Sequence, residues 1–291
     1  MSGKSAAGEI VSGLHVVSVV RVAFAAMVAA VIGVFGVVGE ARPQPAYKPE
    51  LDQPGKDVVW VPTPDALVEK MLDLAQVSGR DTLIDLGAGD GRLVIAAARR
   101  GAQALGIEYD AKLVAYAKQA AQQQGVAHKA VFVKADLFAS DLSSASVITV
   151  FLGPALNRKL LPKLLRLKPG TRIVSNTHPI GDWPPDATAV SADDEKSVYY
   201  RTANLWIVPA NIEGRWQWPG GELTVRQQYQ RVTGMLKNGV VAAAFELRGD
   251  ALQFDNGGAR FAGRIAGDVI NGTVTENGAV REWRALRVAQ R

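Results

Sequence analysis

The chain has 291 residues, 48% of them hydrophobic and 21% charged, a balance that excludes a disordered chain and leaves room for two domains with cores of their own. Lysine and arginine outnumber aspartate and glutamate by 33 to 28. The basic residues are scattered except in NRKLLPKLLRLK (Asn157 to Lys168), which reads as a helix with a solvated outer face. The absence of cysteine excludes disulfides, thiolate metal sites and a cysteine nucleophile, and leaves the compartment open.

In chain order, the first predicted element is the uncharged apolar run VAFAAMVAAVIGVFGVVG, from Val22 to Gly39. As a helix, its roughly 18 residues would rise about 27 Å, close to the thickness of a bilayer core. It is read as a membrane anchor. The competing reading is a signal peptide, with Lys4 and Arg21 ahead of the run and small residues at Gly39 and Ala41. Lys/Arg counts on the two sides give no orientation. EARPQPAYKPELDQPGKD then has four prolines and no periodicity, which predicts an extended spacer.

From Val58 to about Pro209, short apolar runs alternate with helical stretches. DTLIDLG, AQALGIE, KAVFVKAD, ASVITVFLG, GTRIVSNT and NLWIVPA predict strands; PDALVEKMLDLAQV, GRLVIAAARR, DAKLVAYAKQAAQQQ and NRKLLPKLLRL predict helices. Such alternation means an α/β fold, a Rossmann-like parallel sheet with helices on both faces and its ligand site at the carboxyl ends of the strands. The last 80 or so residues carry short alternating runs. Asn-Gly steps at Asn238-Gly239, Asn256-Gly257, Asn271-Gly272 and Asn277-Gly278 part them. They predict a small antiparallel meander of six to eight strands, closed as a barrel. The expected domains are therefore 1–40 (anchor or signal segment), 41–57 (proline-rich linker), 58–210 (α/β domain) and 211–291 (antiparallel β domain).

The ligand site is set by TLIDLGAGDGRLVIAAARRGAQALGIEYD. Gly87, Gly89 and Gly91 let the backbone turn sharply between strand and helix and approach a ligand closely. A dinucleotide site would show G-x-G-x-x-G; here the third glycine comes one residue early, which argues against a nicotinamide enzyme. Asp85, two residues before the first glycine, would repel a pyrophosphate but suits a cationic ammonium group, which points to S-adenosylmethionine. Glu108 closes the next strand where an acid can take both ribose hydroxyls. Asp136, in VKADLF, can accept from an adenine amino group, with Leu137 and Phe138 beside the ring.

IDLGAGDGR, GIEYD and ADLF resemble the motifs of the class I, seven-strand S-adenosylmethionine-dependent methyltransferases. VPTPDALVEKML followed by DLGAGDGRLVIAAARRGAQALGIE is similar to the lysine methyltransferases that modify the c-subunit of ATP synthase and the adenine nucleotide translocase, and to their bacterial relatives. The resemblance covers roughly Val58 to Pro209. It implies that VPTP closes over the methionine end of the cofactor, so Pro62 and Thr63 join Asp85, Gly87, Gly89, Gly91, Glu108, Tyr109, Asp136 and Leu137 as cofactor-binding candidates. Thr63-Pro64 also reads as an N-cap followed by proline at the first helical position. After the fourth strand, amino-methylating relatives carry Asp or Asn, two prolines and an aromatic. FLGPALN departs from that, which argues against DNA adenine or glutamine as acceptor and leaves Gly153, Pro154 and Asn157 as substrate-side candidates.

Methyl transfer is an in-line displacement, so positioning and desolvation dominate, and a lysine acceptor must also lose a proton. SNTHPIGDW offers His178 as a base, Asp182, and Trp183 as a cation-π wall; an ordinary loop histidine and a packing tryptophan are the competing readings. His15 and His128 carry no signal, and no metal-ligand spacing appears. The expected protein is a membrane-anchored methyltransferase acting on a protein lysine, its substrate itself a candidate membrane protein, with the β domain binding or orienting it. No nucleic-acid partner is expected, and the oligomeric state is open. Because S-adenosylmethionine is made in the cytoplasm, the catalytic domain is expected on the cytoplasmic side, with export by a signal peptide as the alternative. The alternative functions are a small-molecule or lipid methyltransferase and a degenerate methyltransferase-fold binding module in the envelope.

Overall fold

Strand β1 (Thr82–Leu86) has Leu83, Ile84 and Leu86 all buried, so it needs cover on both faces. In the computed structural model, which describes residues 47–191, 200–236, 241–242 and 245–289, it is an inner strand of a seven-stranded sheet. The others are β2 (Gln103–Glu108), β3 (Ala130–Lys134), β4 (Val147–Val150), β5 (Arg172–Asn176), β6 (Ala187–Val190) and β7 (Thr202–Ile207). Their order is β3-β2-β1-β4-β5-β7-β6. Strands β1 to β5 run parallel, while β7 enters antiparallel between β5 and β6. The sheet is thus mixed at one edge, not parallel throughout. Strand β6 escapes the sequence reading because ATAV alternates half-buried with exposed positions at that edge and has no continuous apolar run.

Four helices among the described residues, α1 (Asp65–Leu74), α2 (Arg92–Arg99), α3 (Ala111–Gln123) and α4 (Pro154–Leu164), cover the sheet. Leu67, Met71, Val94 and Val114 of the first three pack with Leu83, Val147 and Val174 on one face; Leu160 and Leu164 of α4 pack with Ile84, Ile148 and Ile173 on the other. The chain order reverses between β1 and β4, so their carboxyl ends open a crevice. Helix α1 begins one residue later than the Thr63-Pro64 reading has it: Pro64 is the cap residue, with no side-chain bond.

The C-terminal sheet has nine strands, more than the six to eight expected. They are β8 (Gly214–Trp218), β9 (Gly221–Gln228), β10 (Arg231–Leu236), β11 (Val241–Ala242), β12 (Glu246–Arg248), β13 (Ala251–Asn256), β14 (Ala259–Ala266), β15 (Val269–Glu276) and β16 (Ala279–Arg287). All pairings are antiparallel, in the order β11-β10-β9-β8-β16-β15-β14-β13-β12. Strands β10 and β12 approach each other, which curls the sheet into a near-closed barrel. Its interior is aromatic: Phe254 and Phe261 stack at 4.8 Å, with the Trp283 ring set edge-on to both.

Asn256-Gly257 and Asn277-Gly278 do form the hairpin turns their sequence predicts. Asn271-Gly272 does not. It lies inside β15, where Gly272 faces Gly263, and a Cβ on Gly272 would come within 1.9 Å of the Ala262 carbonyl oxygen. The glycine there serves a close approach of strands; the turn falls at Gly267-Asp268 instead. Asn238-Gly239 lies outside the described residues, as do the expected anchor at Val22–Gly39 and the rest of Met1–Ala46. Among the described residues no helix is long and apolar enough to cross a membrane.

The residues from Tyr47 onward pack as one unit. The two sheets meet at the turn between β9 and β10, where Tyr229 takes a left-handed φ of 58°.

Candidate functional site

A cleft of about 980 Å³, including its open mouth, lies at the carboxyl ends of β1, β2, β3 and β4. From β1 the chain passes through Gly87, Gly89 and Gly91, all at positive φ, before α2 starts. The amides of Gly87 and Ala88 donate to the Ile107 carbonyl at 2.9 and 3.1 Å, which ties this loop to the end of β2. Gly89 has a second reason to lack a side chain: its Cβ would lie 2.5 Å from Nε1 of Trp60.

Six acidic residues line the cleft, among them the three expected from the sequence, Asp85, Glu108 and Asp136. Asp85 is buried and sits opposite Thr149 in the β1–β4 pairing; the Thr149 hydroxyl donates to it at 2.7 Å. Burial pushes its pKa up to about 7 against that bond, with Glu108 and Asp90 adding to the rise. Glu108 accepts from the amides of Gly89, Tyr109 and Asp110 at 3.0, 2.7 and 2.9 Å, which locks its carboxylate at the end of β2. Asp136 accepts from the Phe138 amide at 2.8 Å. Leu137 and Phe138 line the cleft beside it.

The segment read as linker is part of the site. Gln53, Lys56, Trp60, Pro62 and Thr63 all line the cleft, and paired bonds between Gln53 or Asp52 and Trp60 shape the strap. Lys56 donates to Asp136 at 2.8 Å and stands 4.5 Å from the centre of the Tyr109 ring. The Lys56 bond in turn holds the Asp136 carboxyl below the usual range. Arg92 forks onto Asp90 and donates to the Thr63 carbonyl at 2.7 Å, fastening the strap to the glycine loop. The Thr63 hydroxyl accepts from the Asn176 amide group at 3.2 Å. The basic helix α4 is not wholly a solvated face: Lys163 turns inward to the carbonyls of Leu137, Phe138 and Ser140, securing the turn that carries Asp136.

Two of the three proposed catalytic side chains do not reach this cleft. Trp183 is buried against the barrel, donating from Nε1 to Gln230 at 2.8 Å and stacking on Tyr229. Asp182 accepts from the Tyr229 hydroxyl at 2.6 Å. Both belong to the joint between the sheets. His178 stays close to the cleft, 6.1 Å ring to ring from Phe151, which lines it. Of the substrate-side candidates, Asn157 is buried and donates to the Pro179 carbonyl at 3.1 Å, while Gly153 caps α4 and Pro154 is its first residue. Sequence reasoning missed Lys56, Trp60, Thr149, Phe151 and Asn176. Only Trp60, a large aromatic just ahead of VPTP, gave a signal that could have found it.

A buried carboxylate, a second held by three amides and a third just past β3, beside a loop free of side chains, fit a nucleoside that carries an amino acid. Fold and site together define a class I S-adenosylmethionine-dependent methyltransferase. The model of the ANTKMT methyltransferase domain matches residues 85–187. A protein-lysine N-methyltransferase of Saccharolobus islandicus (strain REY15A) is 42% identical over 131 residues, which are 44% of this chain and 81% of that one. The lysine N-methyltransferase of Rattus norvegicus named for the c-subunit of ATP synthase is 34% identical over 145 residues, 50% of this chain and 67% of that one. The chain belongs to this family of protein-lysine N-methyltransferases. Among solved structures, an RNA methyltransferase from Salinibacter ruber in complex with S-adenosyl-L-homocysteine is 45% identical, covering 52% of this chain and 96% of that one, with a TM-score of 0.48.

Proposed function

We propose that this enzyme methylates the side-chain amine of a lysine in a protein substrate. The carrying observation is the convergence of Asp85, Glu108 and Asp136 on one cleft at the β1/β4 crevice, in a chain similar to enzymes named for lysine methylation. In this reading Asp85 holds the methionine ammonium, Glu108 the ribose hydroxyls and Asp136 the adenine amine. Pro62 and Thr63 close the strap over the methionine end, and Tyr109 and Leu137 border the nucleoside. S-adenosylmethionine, when bound, would supply its sulfonium methyl group to a neutral amine attacking in line, with S-adenosylhomocysteine as the leaving group.

The chain's own task is then to dry and aim the amine and to remove its proton. The strap from Gln53 to Thr63 excludes water from the cleft mouth. His178, whose pKa burial lowers, is neutral at physiological pH and stands at the acceptor side to take the proton. The reading extends to an anchor at Val22–Gly39 with the catalytic unit on the cytoplasmic side, supported by the length of that apolar run and by where S-adenosylmethionine is made.

Full-chain protein in detergent, incubated with methyl-labelled S-adenosylmethionine and separate protein, lipid and RNA fractions of the source cell, tests the proposal. Label in a protein band that is absent with Asp85→Ala, and mapped by mass spectrometry to lysine, is expected. Label confined to lipid, small molecules or RNA would overturn the acceptor assignment while leaving the cofactor assignment standing.

A further inference from the structure

Beside the cofactor cleft, three aromatic rings come together from three separate chain segments. Phe151 follows β4, His178 lies two residues past β5, and Tyr200 two residues before β7. The Phe151 and His178 rings lie within 21° of parallel, 6.1 Å apart. Tyr200 stands across both, at 68° to Phe151 with centroids 5.0 Å apart and at 71° to His178 with centroids 6.3 Å apart. All three are only half-buried, so ring surface remains open to a ligand. Phe151 itself lines the cleft, which places the corner at the site's acceptor side.

The backbone and polar groups around the corner are unusual in a consistent way. Thr177, next to His178, is held at φ 58°, a conformation that costs a non-glycine residue on the order of 1 kcal/mol and concentrates at functional sites. Three buried acceptor-capable oxygens, Asn176 Oδ1, Thr177 Oγ1 and Asn157 Oδ1, have no hydrogen-bond partner among the described residues, although buried polar atoms are normally paired. Asn176 and Asn157 spend their donors on the Thr63 hydroxyl and the Pro179 carbonyl. What remains around the His178 turn is acceptor capacity without a donor.

We propose that Phe151, His178 and Tyr200 form the recognition corner for the acceptor's alkylammonium side chain, with the neighbouring unpaired oxygens available to its N–H groups. The inference rests on the lysine reading and names how that site selects its group. Ring faces attract a cation within about 6 Å of their centres. Burial alone lowers the His178 pKa, and no carboxylate among the described residues acts on it. That suits the reaction: a carboxylate against the amine would hold its proton in place, whereas rings and neutral oxygens bind the cation and still allow it to become the free base. Removal of the proton costs the corner its cation-π attraction and one N–H donor.

The test uses the full chain loaded with S-adenosylhomocysteine, and tetramethylammonium chloride as the cation probe, read by broadening of its N-methyl proton resonance. Saturable binding is expected in the wild type, weakened about tenfold in Tyr200→Leu and in Phe151→Leu and retained in Tyr200→Phe, which keeps the ring. Calorimetry with S-adenosylhomocysteine on Tyr200→Leu, a residue outside the cofactor cleft, checks the fold and should match the wild type. No saturable binding by the wild type, or equal binding by the leucine variants, would overturn the corner. If the probe binds as expected but the labelled methyl group appears only in lipid or RNA, the corner still binds a cation, but the lysine reading falls and the corner's assignment to a lysine acceptor falls with it.

Discussion

Asp85→Asn should do two opposite things. The Asp85 pKa rises from the ordinary 3.8 to about 7 in the folded chain, so folding favours its protonated form. Below pH 3.8 both folded and unfolded chains carry the proton, and the group has no differential effect. As pH rises from there to about 7, the unfolded chain ionises first and the folded state loses about 1.4 kcal/mol per pH unit; above 7 the loss is complete, at about 4 kcal/mol. Asparagine removes this dependence. Its Oδ1 can keep the bond from Thr149, whereas its buried amide group needs a new partner at a cost of about 1–3 kcal/mol. That cost does not change with pH.

The informative quantity is therefore a difference. Between pH 5 and pH 8 the stability of the variant relative to wild type should rise by about 3 kcal/mol, two units at about 1.4 kcal/mol each. Urea denaturation of cofactor-free protein at the two pH values measures it. Calorimetry with S-adenosylhomocysteine should meanwhile show wild-type affinity level above about pH 7 and falling about tenfold per unit below it, because an ammonium needs the ionised carboxylate. The variant should bind weakly at every pH. A stability gap that does not widen with pH would refute the picture of a desolvated carboxylate held in reserve for a cation.

If Asp136 takes the adenine amine as proposed, Lys56 competes for it, and the pair is substantially exposed, so Lys56→Ala should tighten S-adenosylhomocysteine binding by no more than about fivefold; weakened binding would mean that Lys56 contacts the ligand instead. Gly89→Ala meets both Trp60 and a φ of 55°, so it should destabilise the strap and weaken cofactor binding about tenfold, while adding Trp60→Ala restores only the steric part, as the same calorimetry would show. Gln230→Ala leaves the buried Nε1 of Trp183 without its acceptor and frees the Pro184 carbonyl. It should cost about 1–3 kcal/mol in a denaturation assay and lower methyl transfer, with cofactor binding unchanged; equal loss of binding would place the joint's influence on the cofactor cleft.

The glycine loop and its three acids were legible because their chemistry is written in short spacings: each acid lies at or within two residues of a strand's end, and strand ends are where a parallel sheet opens. Lys56 was not, since its partner Asp136 lies 80 residues on and the proline-rich sequence around it has no periodicity to betray a folded strap. Trp183 misled for the converse reason. An aromatic beside His178 and Asp182 looks like an acceptor wall until Tyr229 and Gln230, 46 and 47 residues later, supply a ring and an acceptor for its indole. Local sequence reports the residue's chemistry, and only the packed chain reports which surface receives it.

The same loop shows how the barrel enters the chemistry without touching the cofactor cleft. From Asn176 the chain runs through the strained Thr177 and the ring of His178 to Asp182 and Trp183, and the Trp183 carbonyl also accepts from Nε1 of Trp206 on β7. One end of this short loop is fixed at the end of β5, where Asn176 bonds to Thr63 of the strap; the other is fixed by Tyr229 and Gln230. With both ends held, His178 has little freedom to leave the Phe151 ring. A left-handed Thr177 persists only while the surroundings over-determine it, so loosening the barrel joint should release that strain before it disturbs Asp85, Glu108 or Asp136, and the acceptor side should fail first.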